Sequence, residues 1–193
     1  MTLVAYIALL ALVALQRLAE LQLSRRNSRR ARAAGAVEAG SSHYPWMVAL
    51  HSVFLPACAV EVWLLDRPLI VPLALASLIL LLGATILRYA AIRALGERWT
   101  TRIFHWPSRP LIQSGPYRLI PHPNYLAVVL EIVALPLVHT AWISAVVFTV
   151  FNGWLLAVRL RVENEVLSIA VGNSSYGQLR TRMNPVTSRG EHE

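Results

Sequence analysis

Lysine is absent from this chain: all 18 basic residues are arginine, set against 10 acidic ones, for a formal net charge of +8. Cysteine is nearly absent, and the single Cys58 excludes an internal disulfide and a cysteine-built metal site. The six histidines, His43, His51, His105, His122, His139 and His192, show no metal-like pairing, so no metal is expected. Missing too are a G-x-G-x-x-G turn, a Walker loop, an H-E-x-x-H helix and a G-x-S-x-G elbow. A soluble nucleotide-binding domain is thereby excluded, and any cofactor must be held by apolar segments and their loops. The first apolar run has no charged n-region and no clear small-x-small site before Arg17, so it reads as an uncleaved anchor.

What the chain has in abundance is apolar sequence. It is 56% hydrophobic with a mean hydropathy of +0.51, and 193 residues suit one domain. Five runs stand out: Thr2 to Leu15 with a mixed continuation to Leu23, Met47 to Leu65 enclosing Glu61, Leu69 to Leu87, Tyr125 to Val138 enclosing Glu131 and Pro136, and Ala141 to Val158. A hydrocarbon core of about 30 Å needs roughly 20 helical residues, for which the second, third and fifth runs qualify readily and the first with its extension. The fourth is short and spans only if tilted neighbours and membrane thinning help it. The expected fold is an all-α polytopic membrane bundle of about five transmembrane helices.

Arginine sets the expected orientation. Arg25, Arg26, Arg29, Arg30 and Arg32 follow the first run, Arg88, Arg93, Arg98, Arg102, Arg109 and Arg118 the third, and Arg159, Arg161, Arg180, Arg182 and Arg189 the fifth. The opposite turns hold only Asp66 with Arg67, and His139 with Thr140. The positive-inside rule then places the N-terminus outside and the C-terminus in the cytoplasm. Split among three juxtamembrane segments, the arginines read as topology signals attracted to anionic membrane lipids, not as a nucleic-acid surface.

The long connections therefore lie on the cytoplasmic side. One, Ser24 to Pro45, is arginine-rich and then small and polar. The other, Arg88 to Pro123, carries Pro107, Pro110, Pro116, Pro121 and Pro123, too many prolines for continuous helix. A structured loop of this length between spans is more often functional than passive. Residues 173–193 form a polar tail after a helix expected to continue from Arg159 to about Gly172.

Three constellations could carry chemistry. Pro121 and Pro123 bracket His122, and Pro123 suits a first helical turn, so His122 and Arg118 sit beside a helix N-terminus that favours anionic ligand atoms. Asn124, Ala127 and Glu131 fall on one stripe of that helix, expected to face the bundle interior because a carboxylate facing lipid is costly. Glu131 either lines a site or makes an interhelical hydrogen bond or a pair with an arginine. At the end of the fifth run, Arg159 with Glu163 and Arg161 with Glu165 are i, i+4 pairs, which spacing alone reads as a solvated helix end. Trp99, Arg102, His105 and Trp106 either cap a pocket or anchor at the interface, the reading composition favours.

Together these stretches resemble the isoprenylcysteine carboxyl methyltransferase family of integral membrane enzymes, whose pattern is roughly G-x-Y-R-x-x-R-H-P-x-Y-x-G, an intramembrane Glu, a Pro-Leu, and later R-I-x-x-E-E-x-x-L. The chain reads Gly115-Pro116-Tyr117-Arg118, Pro121-His122-Pro123-Asn124-Tyr125, Glu131, Pro136-Leu137, then Arg159-Leu160, Glu163-Asn164 and Leu167. The match covers about Arg88 to Tyr176, the expected catalytic region of the single domain. Pro121 stands where the family has an arginine, Ala127 for a glycine and Asn164 for the second glutamate. Arg118 or Arg161 would have to replace the lost cation.

The N-terminal half is similar to a bacterial branch through Gln16-Arg17-Leu18-Ala19-Glu20-Leu21, Ser24-Arg25-Arg26-Asn27, Gly35-Ala36 and His43-Tyr44-Pro45-Trp46-Met47. Some of that branch are alkylpyrone O-methyltransferases acting on products of type III polyketide synthases. The resemblance implies an S-adenosylmethionine-dependent O-methyltransferase of the bacterial inner membrane, acting from the cytoplasmic face on a lipid-like enol, hydroxyl or carboxylate. By that resemblance Tyr117, His122, Pro123, Asn124, Tyr125, Arg159 and Glu163 enclose the cofactor. Arg118 and Arg161 are candidates for the acceptor's anion, Glu131 and Glu163 for the cofactor's amine or sulfonium, and His122 for cofactor contact or proton removal. Rival readings are a phospholipid amine N-methyltransferase and a non-catalytic lipid-binding or transport protein. Few polar residues line the third and fifth runs, which disfavours transport.

Overall fold

The computed structural model describes residues 2–40, 43–106 and 112–171. Its helices are α1 (Leu3–Ala33), α2 (Tyr44–Leu64), α3 (Val71–Leu95), α4 (Pro123–Leu137) and α5 (Trp142–Val171). Two short strands, β1 (Val37–Ala39) and β2 (Ile103–His105), and tight turns at Gly96–Arg98 and Gly115–Arg118 complete the described elements. Helices α2, α3 and α4 each carry a proline among their first two residues, at Pro45, Pro72 and Pro123, where the missing N–H has no intrahelical partner to lose. The third apolar run thus starts its helix at Val71 and continues past its apolar end to Leu95.

Among the described residues four helices, α1, α2, α3 and α5, are long and apolar enough to cross a membrane. Helix α4 is not. Its 15 residues rise only about 22 Å, short of a hydrocarbon core of about 30 Å. It packs chiefly against α3 and α5 and buries Ala127, Glu131, Ile132, Ala134 and Leu135. The long helices instead expose large apolar side chains, including Leu12, Val53, Ile79, Leu82, Val150 and Phe151. That distribution is expected of lipid-facing helices wrapped around a shorter internal one, because lipid tails solvate apolar side chains as well as a protein core does.

The core joins Tyr6, Leu10, Phe54, Cys58, Leu81, Leu135 and Phe148, with the Phe54 and Phe148 rings tilted at 5.1 Å. Cys58 is fully buried there as a small apolar residue. In the last turn of α4, loosened by Pro136, the Leu135 carbonyl accepts a 3.2 Å hydrogen bond from the Tyr6 hydroxyl.

Glu61, the charge inside the second run, has a structural assignment. Its carboxylate accepts from the backbone N–H groups of Ile143 at 3.0 Å and Ser144 at 2.6 Å, and from Arg67 at 2.8 Å. One helix thereby caps the N-terminus of another, where negative charge is favoured by the helix dipole. Glu61→Ala removes the acceptor for those α5 amides and is expected to cost about 2 kcal/mol. Thermal unfolding in detergent, read by helical circular dichroism, checks this; an unchanged midpoint would remove Glu61 from the capping role.

The all-α expectation meets one local exception. Strands β1 and β2 pair antiparallel, with Val37 opposite His105, Glu38 opposite Phe104 and Ala39 opposite Ile103. The pair ties together the two connections that sequence alone leaves as separate loops.

Candidate functional site

The start of α4 and a turn of α5 meet around one phenol. His122 caps α4 with a non-helical backbone, as the flanking prolines require, and its ring stacks on Tyr125 with centroids 5.2 Å apart and planes 7° from parallel. The Tyr125 hydroxyl accepts a 2.7 Å hydrogen bond from Arg159 Nε and donates to a Glu163 oxygen. His122 Nδ1 lies 3.9 Å from the other Glu163 oxygen.

The i, i+4 ion pair expected of Arg159 and Glu163 does not form; the two meet through the phenol instead. Arg159 is only 5% exposed, and its second nitrogen reaches the Thr101 carbonyl at 2.8 Å and the Met47 sulfur at 3.4 Å. Buried cations normally have a carboxylate in contact. Here neutral acceptors and the face of the Tyr125 ring, 5.2 Å away, take that place.

The remaining sequence candidates divide. Tyr117 is half-buried, and burial first, then the nearby Glu163 carboxylate, push its phenol above the ordinary range. Pro123 is buried at the start of α4, and Asn124 beside it holds a buried Oδ1 with no hydrogen-bond partner among the described residues. Arg118 and Arg161 are exposed, Arg118 on the Gly115–Arg118 turn that packs against α3. The Glu165 side chain, and with it the expected Arg161 pair, lies outside the described residues.

Glu131 is brought elsewhere. Six residues beyond Tyr125, it sits about 9 Å along the helix. The expected interior stripe is present, with Ala127 fully buried and Glu131 8% exposed. Arg88 Nε and Nη2 grip both Glu131 oxygens, the first at 3.1 Å. Arg17 donates to Glu131 at 2.8 Å and to Glu20 at 2.6 Å, and Arg88 stands 3.7 Å from Glu20. Two cations and two anions from α1, α3 and α4 thus close a neutral quartet within the apolar bundle. Of the two sequence readings, the geometry is that of the arginine pair.

Around the phenol, Trp99 and Arg102 were possible pocket caps and Ser24, Asn27, His43 and Tyr44 carried the N-terminal resemblance, but Thr101 and Glu38 were not legible as site residues. Thr101 shares a 2.8 Å hydroxyl hydrogen bond with Ser24, whose oxygen also accepts from the Thr101 N–H at 2.9 Å. Asn27 donates to the carbonyls of Gly96 and Trp99, and Trp99 is buried, not an interfacial anchor. Arg102 lies 4.1 Å over the Tyr44 ring and pairs with Glu38, which also accepts from Arg32 at 2.5 Å. Burial alone would raise the Glu38 carboxyl, but the hydrogen bonds from Arg32 and Arg102 hold it below its usual range. His43 is held below the ordinary imidazole range by burial and then by the Arg159 charge.

Gly40 seals this corner. Its φ of +63° disfavours any side chain, and a Cβ would lie 2.7 Å from both the His43 ring and Val162 of α5. For Gly40 itself the sequence signal was the density of small polar residues in the first connection.

Residues 77–169 match the model of the Isoprenylcysteine carboxyl methyltransferase (ICMT) family. The uncharacterized protein YpbQ of Bacillus subtilis (strain 168) is 38% identical over 139 residues, which cover 72% of this chain and 82% of YpbQ. No solved structure matches the chain. The matched segment contains α4, the Tyr125 phenol and the Arg159–Glu163 turn.

Proposed function

Because the chain belongs to the isoprenylcysteine carboxyl methyltransferase family, a family of membrane methyltransferases, we propose that it is an S-adenosylmethionine-dependent O-methyltransferase acting on a lipid-like acceptor. The observation that carries the reading is the Tyr125–Arg159–Glu163 node, built from the two halves of the family pattern.

The residues present fit the cofactor. S-adenosylmethionine supplies an electrophilic methyl group on a sulfonium, carried with an ammonium, a carboxylate and ribose hydroxyls. Glu163 Oε1 makes no hydrogen bond among the described residues and provides an acceptor for an ammonium or hydroxyl, and Asn124 Oδ1 at the start of α4 is a second unpaired acceptor among those residues. In the first turn of α4, Pro123 has no N–H and those of Tyr125 and Leu126 donate to the His122 carbonyl, which leaves the Asn124 N–H as the backbone donor for a carboxylate. His122, clamped on Tyr125, forms a flat wall.

Arg159 holds this wall in place by tying the phenol to the Thr101 carbonyl. An enolate or carboxylate acceptor is already an anion near neutral pH, so the chain's task is alignment, which supplies about 7–11 kcal/mol in the best cases. Arg118 and Arg161, both exposed, are the candidate cations for that anion, and His122 is the candidate to accept a proton from a less acidic hydroxyl. An alkylpyrone suits this reading: its enol meets the cofactor while its tail stays in lipid. The arginine distribution supports a site on the cytoplasmic side of a bacterial inner membrane, and the substrate class suggests a type III polyketide synthase as its supplier.

Incubation of the purified chain with labelled S-adenosylmethionine and either an alkylpyrone or a lipid extract tests the proposal. Label in a base-stable neutral ether supports the enol acceptor, and label released by base as methanol supports a carboxylate. Label in a basic lipid would replace O-methylation with phospholipid N-methylation, and no transfer to any acceptor would overturn the reading.

A further inference from the structure

On the other side of Thr101 from Arg159 lies a cleft of about 420 Å³ between α1, the start of α2 and residues 101–102. One face of α1 supplies Leu21, Arg25, Ser28, Arg29 and Arg32, the spacing of a single helical stripe. Arg102 faces them from the opposite wall. Arg32 and Arg102 share Glu38, but Arg25 and Arg29 have no ion-pair or hydrogen-bond partner among the described residues. Four cations against one carboxylate leave the cleft strongly positive.

Ser28 gives the second, independent sign of a ligand. It is 4% exposed, lines the cleft, and its hydroxyl has no hydrogen-bond partner among the described residues. A buried hydroxyl left unpaired beside free guanidinium groups is a donor awaiting an acceptor. Toward the apolar part of α1 the lining changes to Leu21, with Val48 of α2 beside it.

We propose that this cleft binds an anionic amphiphile through its phosphate headgroup, with Arg25, Arg29 and Ser28 holding the phosphate oxygens and the chain leaving past Leu21 and Val48. Arginine's planar fork matches phosphate geometry, and the hydroxyl completes an acceptor-rich oxyanion. The site is separate from the Tyr125 node and does not depend on the methyl-transfer reading. Thr101 is the shared wall: its carbonyl faces Arg159 and its hydroxyl faces Ser24 and Tyr44.

Phosphatidic acid, phosphatidylcholine with the same chains, and inorganic phosphate are titrated separately against the detergent-purified full chain, and binding is read by native mass spectrometry and thermal shift. Phosphatidic acid is expected to bind and raise the unfolding midpoint, and the other two to do neither. Arg25→Gln with Arg29→Gln should weaken that binding by about tenfold or more, the scale of one lost charged hydrogen bond. Ser28→Ala, which keeps every charge, should weaken it by about fivefold, the scale of one neutral bond, and serves if the double variant fails to fold. Arg26→Gln with Arg93→Gln removes equal charge outside the cleft and should leave binding intact. Equal losses in both charge pairs would mean diffuse surface attraction and overturn the proposal. So would phosphatidylcholine binding as well as phosphatidic acid, or inorganic phosphate stabilising as strongly as the lipid.

Discussion

Arg88→Met is expected to be the most destabilising single change in the helix bundle, lowering the unfolding midpoint in detergent by roughly 6–20 °C. Arg88 is 4% exposed and grips both oxygens of Glu131 while standing 3.7 Å from Glu20. Its removal leaves two carboxylates and one arginine in an apolar environment, an uncompensated buried charge of the kind that costs about 3–5 kcal/mol. Replacing both partners, Arg88→Met with Glu131→Leu, leaves Arg17 and Glu20 as a neutral pair at 2.6 Å. That double variant should therefore be more stable than Arg88→Met alone. A double-mutant cycle measures the coupling directly. Strictly additive losses would mean that the quartet acts as four independent contacts.

The second large effect is expected at Glu163. Glu163→Gln keeps the size of the side chain and a hydrogen-bonding oxygen for the Tyr125 hydroxyl, but it removes the negative charge facing His122 and the uncommitted Oε1. Methyl transfer should fall roughly 10–150-fold, the range for one hydrogen bond to a charged group. Tyr125→Phe should cost less. It leaves both charges in place and allows Arg159 and Glu163 to approach each other directly. The ordering of the two variants separates ligand contact from scaffolding: a phenol variant more damaging than the carboxylate variant would make Glu163 a mere support for the ring. Helical circular dichroism on both variants shows whether the bundle itself is intact.

These two expectations rest on different amounts of sequence information. Long apolar runs announce their own helices, and prolines at positions 45, 72 and 123 mark where three of them begin. The convergence on Tyr125 was legible because the family pattern names both ends of it. Its wiring was not. Helical spacing suggests that Arg159 pairs with Glu163, but packing against Thr101 and Met47 turns the guanidinium away and inserts the phenol between them.

The charges were visible one by one: Glu61 and Glu131 inside apolar runs, Arg17 and Glu20 in the mixed continuation of the first, and Arg88 past the end of the third, where sequence reads a connection and the structure continues α3. Which cation meets which anion depends on how the helices pack, and periodicity along one helix carries no such information. Glu61 shows the same limit, because its partners are backbone amides of a helix some 80 residues later in the chain. The β1–β2 pair joins strands of three residues, too short to leave an alternating pattern in loops.

The central claim is that the Tyr125–Arg159–Glu163 node forms a wall of the S-adenosylmethionine pocket. Calorimetric titration of S-adenosylhomocysteine into the detergent-solubilised chain tests it most directly. One site per chain is expected in the wild type, weakened about tenfold or more in Glu163→Gln and unchanged in the Arg25→Gln, Arg29→Gln variant. Glu163→Gln binding as tightly as the wild type, or a folded wild type that binds none, would contradict it.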